Sequence, residues 1–291
     1  ITVSPGFAIC ADAMRPGSVY FLQTLTGGID DLLRLTDVNQ DGDAQDAGEA
    51  VRLAVRDARP DLVLNAAAYT DVEKAEDDER GAFHVNANGA QRIAEAAAAI
   101  EVPVVYFSTD FVFDGTKRTP YTPEDRTSPK SVYAKSKMRG EENSRWGNPQ
   151  SFVVRTAWLY GPGGNNFVEK ILEAAKSRPS LRVVSDEIGS PTYTRDLAAA
   201  TLVLVKTKAY GIYHAVNAGS CSRYEFAQAI VKEAGLDTPI APCAASEFPM
   251  KAARPAYSVL SNEKLKAASG MVMPDWRDGL ARYMKQRENI A

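Results

Sequence analysis

Four short apolar runs constrain the fold of this chain more than any other feature: "DLVLNAA" (61–67), "VPVVYFST" (102–109), "SFVVRTAW" (151–158) and "LRVVSD" (181–186). Each is rich in valine and has the length of a buried strand. Between them lie stretches of helical period, "DAGEAVRLAVRDA" (46–58), "ERGAFHVNANGAQRIAEAAAAI" (79–100), "VYAKSKMRGEENSRW" (132–146) and "NNFVEKILEAAKS" (165–177). Strand alternating with helix predicts an α/β fold, a doubly wound parallel sheet with helices on both faces. Such sheets take ligands outside the carboxyl ends of their strands. The residues after those ends are therefore the site candidates: Asn65-Ala66-Ala67-Ala68-Tyr69, Ser108-Thr109-Asp110 and Thr156-Ala157-Trp158. Beyond about residue 190 the pattern changes, which predicts a smaller second lobe.

Charge and cysteine usage narrow the function classes. With 34 Lys and Arg against 37 Asp and Glu the net charge is −3, and no basic block tracks a phosphate backbone, which argues against nucleic acid. Cys10, Cys221 and Cys243 are odd in number and contain no Cys-x-x-Cys, so neither a disulfide framework nor a zinc site is expected. Reduced thiols place the chain in a cytoplasm. No segment approaches a membrane span, and no basic region followed by an apolar run opens the chain. His84 and His214 are the only histidines, too few for a multi-histidine metal site, and local packing roles are expected of them.

In "SVYAKSKMRGEE" (131–142) Tyr133 and Lys137 stand at i and i+4, which makes them neighbours on one helical face. Seven stretches then occur in one order: "RPDLVLNAAAYTDVEKAE" (59–76), "VNANGAQRIAEAA" (85–97), "STDFVFDG" (108–115), "SVYAKSKMRGEE", "VVRTAWLYGPGGNNFV" (153–168), "DEIGSPTYTRDLA" (186–198) and "RPAYSVLS" (254–261). On these the chain resembles the extended short-chain dehydrogenase/reductases, and within them the dTDP-4-dehydrorhamnose reductase family, over roughly residues 43–285. The resemblance implies a nicotinamide reductase of a dTDP-linked 4-keto sugar, with NADPH or NADH as cofactor. It implies Thr109, Tyr133 and Lys137 as the catalytic group. Tyr133 would donate the proton, its pKa lowered by the Lys137 ammonium, and Lys137 would also hold the nicotinamide ribose. Ala66, Ala67, Ala68 and Tyr69 match a strand end that touches the cofactor. Thr109, Asp110, Trp158, Asn166 and Arg254 are the expected substrate contacts, the arginine suiting a diphosphate. Residues 1–160 would mainly form the dinucleotide-binding domain and 161–291 mainly a smaller substrate-binding lobe, with chain exchanging between them. A homodimer is expected, and Mg²⁺ is a further candidate cofactor.

The resemblance weakens before residue 43. The glycine-rich phosphate turn of the family aligns with Ala11, Met14 and Gly17, where only the last glycine remains and Pro16 removes an N–H donor. Ala11 and Gly17 are the expected pyrophosphate contacts, "LLRLT" (32–36) the second strand, and Asp43 and Ala44 the contacts at the adenosine end. Asp37, Asn39, Asp41 and Gly42 also match the start of a calcium loop, but position 48 carries Gly48, with Glu49 one place late, which favours a solvated acidic turn. Two alternatives stay open: another nucleotide-sugar reductase or epimerase, and a non-catalytic relative that keeps the fold, as the regulatory subunit of methionine adenosyltransferase does. An intact Thr109, Tyr133 and Lys137 favours an enzyme; the eroded turn favours the regulator.

Overall fold

The computed structural model describes residues 18–23, 32–36, 55, 60–163 and 166–288. The first part of the chain supplies β1 (Ser18–Gln23), β2 (Leu32–Thr36), β3 (Val63–Asn65), α1 (Val72–Ala75), α2 (Glu79–Phe83), a π-helical segment (His84–Gly89), α3 (Ala90–Ala98), β4 (Val104–Thr109), α4 (Val132–Gly147) and β5 (Ser151–Thr156). There follow β6 (Leu159–Tyr160), α5 (Phe167–Ser177), β7 (Leu181–Val184), β8 (Ile188–Gly189), β9 (Thr192–Tyr193), α6 (Thr194–Lys206) and β10 (Gly211–His214). The chain continues through β11 (Cys221–Ser222), α7 (Arg223–Glu233), β12 (Ile240–Cys243), α8 (Glu263–Ser269) and α9 (Trp276–Glu288). The helix expected over 46–58 lies outside the described residues except for Val55, which is helical and buried.

Two compact units divide the chain: Ile1–Val112, Thr127–Arg155 and Lys208–Tyr213 form one, and Phe113–Arg126, Thr156–Thr207 and His214–Ala291 the other. The first is an α/β unit built on a six-stranded sheet in the order β10-β5-β4-β3-β1-β2. β3 and β4 pair in parallel, from Val63↔Val104 to Asn65↔Tyr106, as the alternation of strand and helix requires. Ile93, Ala94, Ala96 and Ala97 of α3 pack with Val55, Val63 and Val104 in a cluster shielded from water. Full burial of an isoleucine such as Ile93 contributes about 1.5–3 kcal/mol.

The sheet departs from the expected parallel arrangement at one edge. β1 pairs antiparallel with β2, Ser18↔Thr36 to Leu22↔Leu32, and antiparallel with β3. Only residues 24–31 separate β1 from β2, and a parallel pair needs a crossover of roughly a dozen residues or more, so the short connection selects the antiparallel pairing. "LLRLT" is therefore a strand, as expected, but an antiparallel one. "LRVVSD" also differs: as β7 it leaves the main sheet and pairs in parallel with β12 in the second unit, Leu181↔Ile240 to Val184↔Cys243. Its alternate residues are buried and open, the pattern of a strand covered on one face rather than two.

The second unit is organised around aromatic rings. Tyr160, Tyr193, Phe226, Trp276 and Tyr283 join Val168, Leu172 and Ile230 in one core cluster. The Phe226 and Trp276 rings stand perpendicular with centroids 5.7 Å apart, and the Tyr160 and Tyr193 rings stack at 5.8 Å. Both are geometries that aromatic quadrupoles favour. Short parallel and antiparallel pairs, β6 with β9 and β8 with β11, tie this unit's loops together.

Candidate active site

In the first unit, the end of β4 and the first turns of α4 bring four of the expected residues together. The helix begins where Ser131, extended at φ −83° and ψ 160°, caps it by accepting from the Ala134 N–H at 3.2 Å. The Glu76 carboxylate at the end of α1 accepts from the Val132 N–H at 2.8 Å. Two of the N–H groups that a helix start leaves without partners are thus satisfied. Tyr133 stands one residue inside, its ring edge-on to Phe111 at 6.0 Å. Its hydroxyl is hydrogen-bonded to the Thr109 side chain. Thr109 in turn donates to Asp110 Oδ1 at 3.1 Å and accepts from the Phe111 N–H at 3.2 Å.

Lys137 is buried one turn further on, where its ammonium donates to the Phe107 carbonyl at 2.6 Å and lies 4.2 Å from the centre of the Tyr106 ring. Burial pulls its pKa down to about 7, against the upward pull of Glu141. The Tyr133 phenol moves the other way, to about 12, raised by burial, lowered by its bond to Thr109 and raised by Asp110. This corrects the expectation that the Lys137 ammonium lowers it. The ammonium is spent on a carbonyl and a ring face, and burial weakens the charge that was to do the lowering. The phenol is held in its protonated form, which is the form a proton donor needs.

Around this group stands a polar shell that the sequence did not disclose. Glu141, at i+8 from Tyr133, accepts from Ser108 Oγ at 2.5 Å and takes a bidentate pair from Arg155, Nε to Oε1 at 2.9 Å and Nη2 to Oε2 at 2.7 Å. Both charged side chains are only 3–4% exposed. Asn86, in the π-helical segment, accepts from the Tyr69 N–H at 2.8 Å and donates to the Tyr69 carbonyl at 3.2 Å and to Ser136 Oγ at 2.9 Å. Ser136 passes the connection to the Tyr133 carbonyl at 2.8 Å. The Tyr106 hydroxyl donates to the Asn86 carbonyl at 2.9 Å. Gly140 permits this closeness: a Cβ there would come within 2.1 Å of the Asn86 carbonyl oxygen and 2.2 Å of the Tyr106 hydroxyl. The spacing 133, 137, 140, 141 was the available signal, since it marks one buried helical face.

At the end of β3, Ala66, Ala67 and Ala68 present nothing larger than a methyl group beside the backbone. The Ala67 N–H bonds to Asn65 Oδ1 at 3.2 Å, and Tyr69 is fixed by Asn86. A flat ring can approach such a strand end closely, and Lys137 stands on the same unit, so the residues present fit the nicotinamide half of a dinucleotide. Ala11, Gly17, Asp43 and Ala44 lie outside the described residues, as do the calcium-like positions 37–49. A phosphate turn opens onto a helix, whereas the residues that follow Gly17 are strand β1.

The second unit holds the remaining candidates. Trp158 is partly buried and sits in left-handed backbone at φ 48°, uncommon for a bulky residue. Asn166 is the N-cap of α5: its Oδ1 accepts from the Val168 and Glu169 N–H groups at 3.0 and 3.3 Å, and its Nδ2 donates to the Gly161 carbonyl at 3.0 Å. Arg254 is exposed in the stretch before Pro255. Among the described residues no three His, Cys, Asp or Glu side chains gather as metal ligands, so the Mg²⁺ expectation finds no support there. Among them, too, no helix is long and apolar enough to cross a membrane.

A Tyr-x-x-x-Lys helix packed against a strand that ends in threonine, on a sheet with a parallel centre, defines the short-chain dehydrogenase/reductase class. The family model of the RmlD substrate binding domain matches residues 31–289. Relatives agree. The spore coat polysaccharide biosynthesis protein SpsK of Bacillus subtilis is 44% identical over 82% of this chain and 84% of its own. A dTDP-4-dehydrorhamnose reductase of Sinorhizobium fredii is 39% identical over 80% and 83%. The structure of dTDP-4-dehydrorhamnose reductase from Bacillus anthracis in complex with NADP superposes with a TM-score of 0.80 at 38% identity, over 82% of this chain and 85% of that one. The chain belongs to the dTDP-4-dehydrorhamnose reductase family.

Proposed function

We propose that this protein reduces the 4-keto group of dTDP-4-dehydrorhamnose to dTDP-L-rhamnose with a nicotinamide cofactor. The observation that carries the reading is the convergence of Tyr133, Thr109, Asp110 and Lys137 within the first unit, with the Tyr133 phenol held protonated by its surroundings. Membership in a family whose named relatives carry this activity, one of them solved with NADP, supports both the reaction and NADPH as the cofactor.

Lys137, Tyr133 and the Ala66–Tyr69 strand end would hold the nicotinamide half of the cofactor, which when bound would supply hydride to the carbonyl carbon. As that carbon becomes tetrahedral, negative charge develops on its oxygen. Tyr133 donates its phenolic proton there, breaking its O–H bond as the new one forms. Thr109, its hydroxyl donating to Asp110 and its oxygen accepting from the Phe111 N–H, holds the phenol in place beside the same oxygen. Asp110 lies beside the sugar. The first unit serves the cofactor; Trp158 and Arg254 of the second serve the nucleotide-sugar, with Asn166 engaged as a helix cap. Cys221 and Cys243 are free and buried, and burial raises both thiols, which leaves them unreactive bystanders to the reduction.

Incubation with dTDP-4-keto-6-deoxy sugar and NADPH, followed by product chromatography, tests the reading. A dTDP-linked hexose reduced at C4 is expected. An epimerised sugar that still carries its keto group would assign the chain to a different reaction of the class.

A further inference from the structure

Trp158 is held on two sides by elements that meet in one small ladder. β8 and β11 pair antiparallel, Gly189 opposite Cys221 and Ile188 opposite Ser222. From β8, Gly189 abuts the indole edge so closely that a Cβ there would lie 2.5 Å from Trp158 Cε2 and 2.8 Å from Nε1. From β11 the chain turns directly into α7, whose first residue is Arg223. The Arg223 guanidinium carbon lies over the indole, 3.5 Å from the ring centre, and 5.3 Å from the centre of the Phe167 ring.

This placement is not what a helix start selects by itself. The first turn of a helix favours anions and disfavours cations, yet Arg223 is largely buried there. Its position is fixed from several directions. Ser222 caps α7 by accepting from the Glu225 N–H at 3.0 Å, and Glu225 reciprocates by accepting from the Ser222 N–H at 2.7 Å. The Arg223 N–H donates to the Glu187 carbonyl at 3.3 Å, and the Glu187 carboxylate lies 3.7 Å from Arg223 Nε. The backbone of Trp158 is itself in a conformation that bulky residues rarely adopt, the kind of departure the surrounding structure must enforce. An arginine set on one face and a glycine against the edge leave the indole a single orientation.

We propose that Arg223 is a positioning residue for substrate recognition: its guanidinium clamps the Trp158 indole in the orientation that meets the sugar end of the nucleotide-sugar. The inference rests on the reading that Trp158 contacts that substrate. Arg223 then acts through Trp158, on substrate affinity rather than on hydride or proton transfer.

The test measures kcat and KM for the nucleotide-sugar, NADPH affinity and tryptophan emission in wild type, Arg223→Leu, Arg223→Lys, Trp158→Phe and the Arg223→Leu/Trp158→Phe double variant. Subtracting Trp158→Phe isolates the Trp158 signal from those of Trp146 and Trp276. Arg223→Leu is expected to raise KM roughly two- to thirtyfold, the span of a cation–π contact, with kcat and NADPH affinity unchanged and Trp158 emission altered. Arg223→Lys restores only part, because an ammonium has no flat face to stack. The double variant is expected to be no worse than Trp158→Phe alone, since both changes remove one function. Wild-type KM in folded Arg223→Leu overturns the proposal, as do fully additive effects in the double variant. Should Arg223→Leu fail to fold, wild-type KM and emission in Arg223→Lys overturn it equally. An unchanged KM in Trp158→Phe instead defeats the substrate-side reading of Trp158, and the proposal with it, leaving the roles of Tyr133 and Lys137 untouched.

Discussion

Tyr133 and Lys137 share a helical face but are asked for different things, and their surroundings separate them accordingly. The phenol, pushed to about 12, keeps its proton throughout the neutral range; the ammonium, pulled to about 7, is only partly charged there. Tyr133→Phe removes the one acidic proton and nothing of the packing around Phe111. It is expected to lower kcat roughly 10²–10⁴-fold, the ordinary yield of general acid catalysis, with NADPH affinity unchanged. Lys137 carries a second prediction, on stability. Its pKa is lower folded than the 10.5 of an exposed lysine, so between about pH 7 and 10.5 the unfolded chain binds the extra proton. Stability from this group therefore rises with pH across that window, by up to about 1.4 kcal/mol per pH unit, and is constant below it. Urea unfolding at several pH values should show that rise in wild type and its loss in Lys137→Met. These two residues were legible as a pair in "SVYAKSK", because i and i+4 must meet on a helix. The directions of their shifts were not, since burial and the ammonium's preference for the Phe107 carbonyl are tertiary facts.

At the scale of elements, α4 is registered against β4 by more than its catalytic residues. Gly140 lets the helix approach the π-helical segment, and Gly140→Ala would drive a methyl group into the Asn86 carbonyl and the Tyr106 hydroxyl. Overpacking of this kind costs about 1–3 kcal/mol, and because backbone must yield, kcat is expected to fall with Tm. Calorimetry and a rate assay on the same sample check both. Glu141→Gln keeps the shape but leaves the buried Arg155 guanidinium without its counter-charge; a loss of about 3–5 kcal/mol in unfolding free energy is expected. The helix and both parallel strands were readable from valine runs and helical period. The Glu141–Arg155 pair was not, because its members belong to different elements and only the fold brings them together. Asn86, within "VNANG", has no sequence signal for its bonds to Tyr69 and Ser136, for the same reason.

For the chain as a whole, legibility follows where the family's pattern is intact. Residues 59–261 carry ordered motifs, and there most strands and helices form near where the sequence puts them. Before residue 31, where the family model begins, no motif guides the reading, and the short link between β1 and β2 selects an antiparallel edge that a parallel pattern did not foresee. The reduction itself rests on the Tyr133 helix meeting the end of β4. The direct test is nicotinamide absorbance in a mixture of this protein, NADPH and dTDP-4-keto-6-deoxy sugar, run beside Tyr133→Phe. The expected result is substrate-dependent oxidation of NADPH by wild type and near-complete loss in the variant at undiminished NADPH binding. A wild type that binds NADPH but oxidises none of it, or a Tyr133→Phe variant that retains most of the rate, would contradict it.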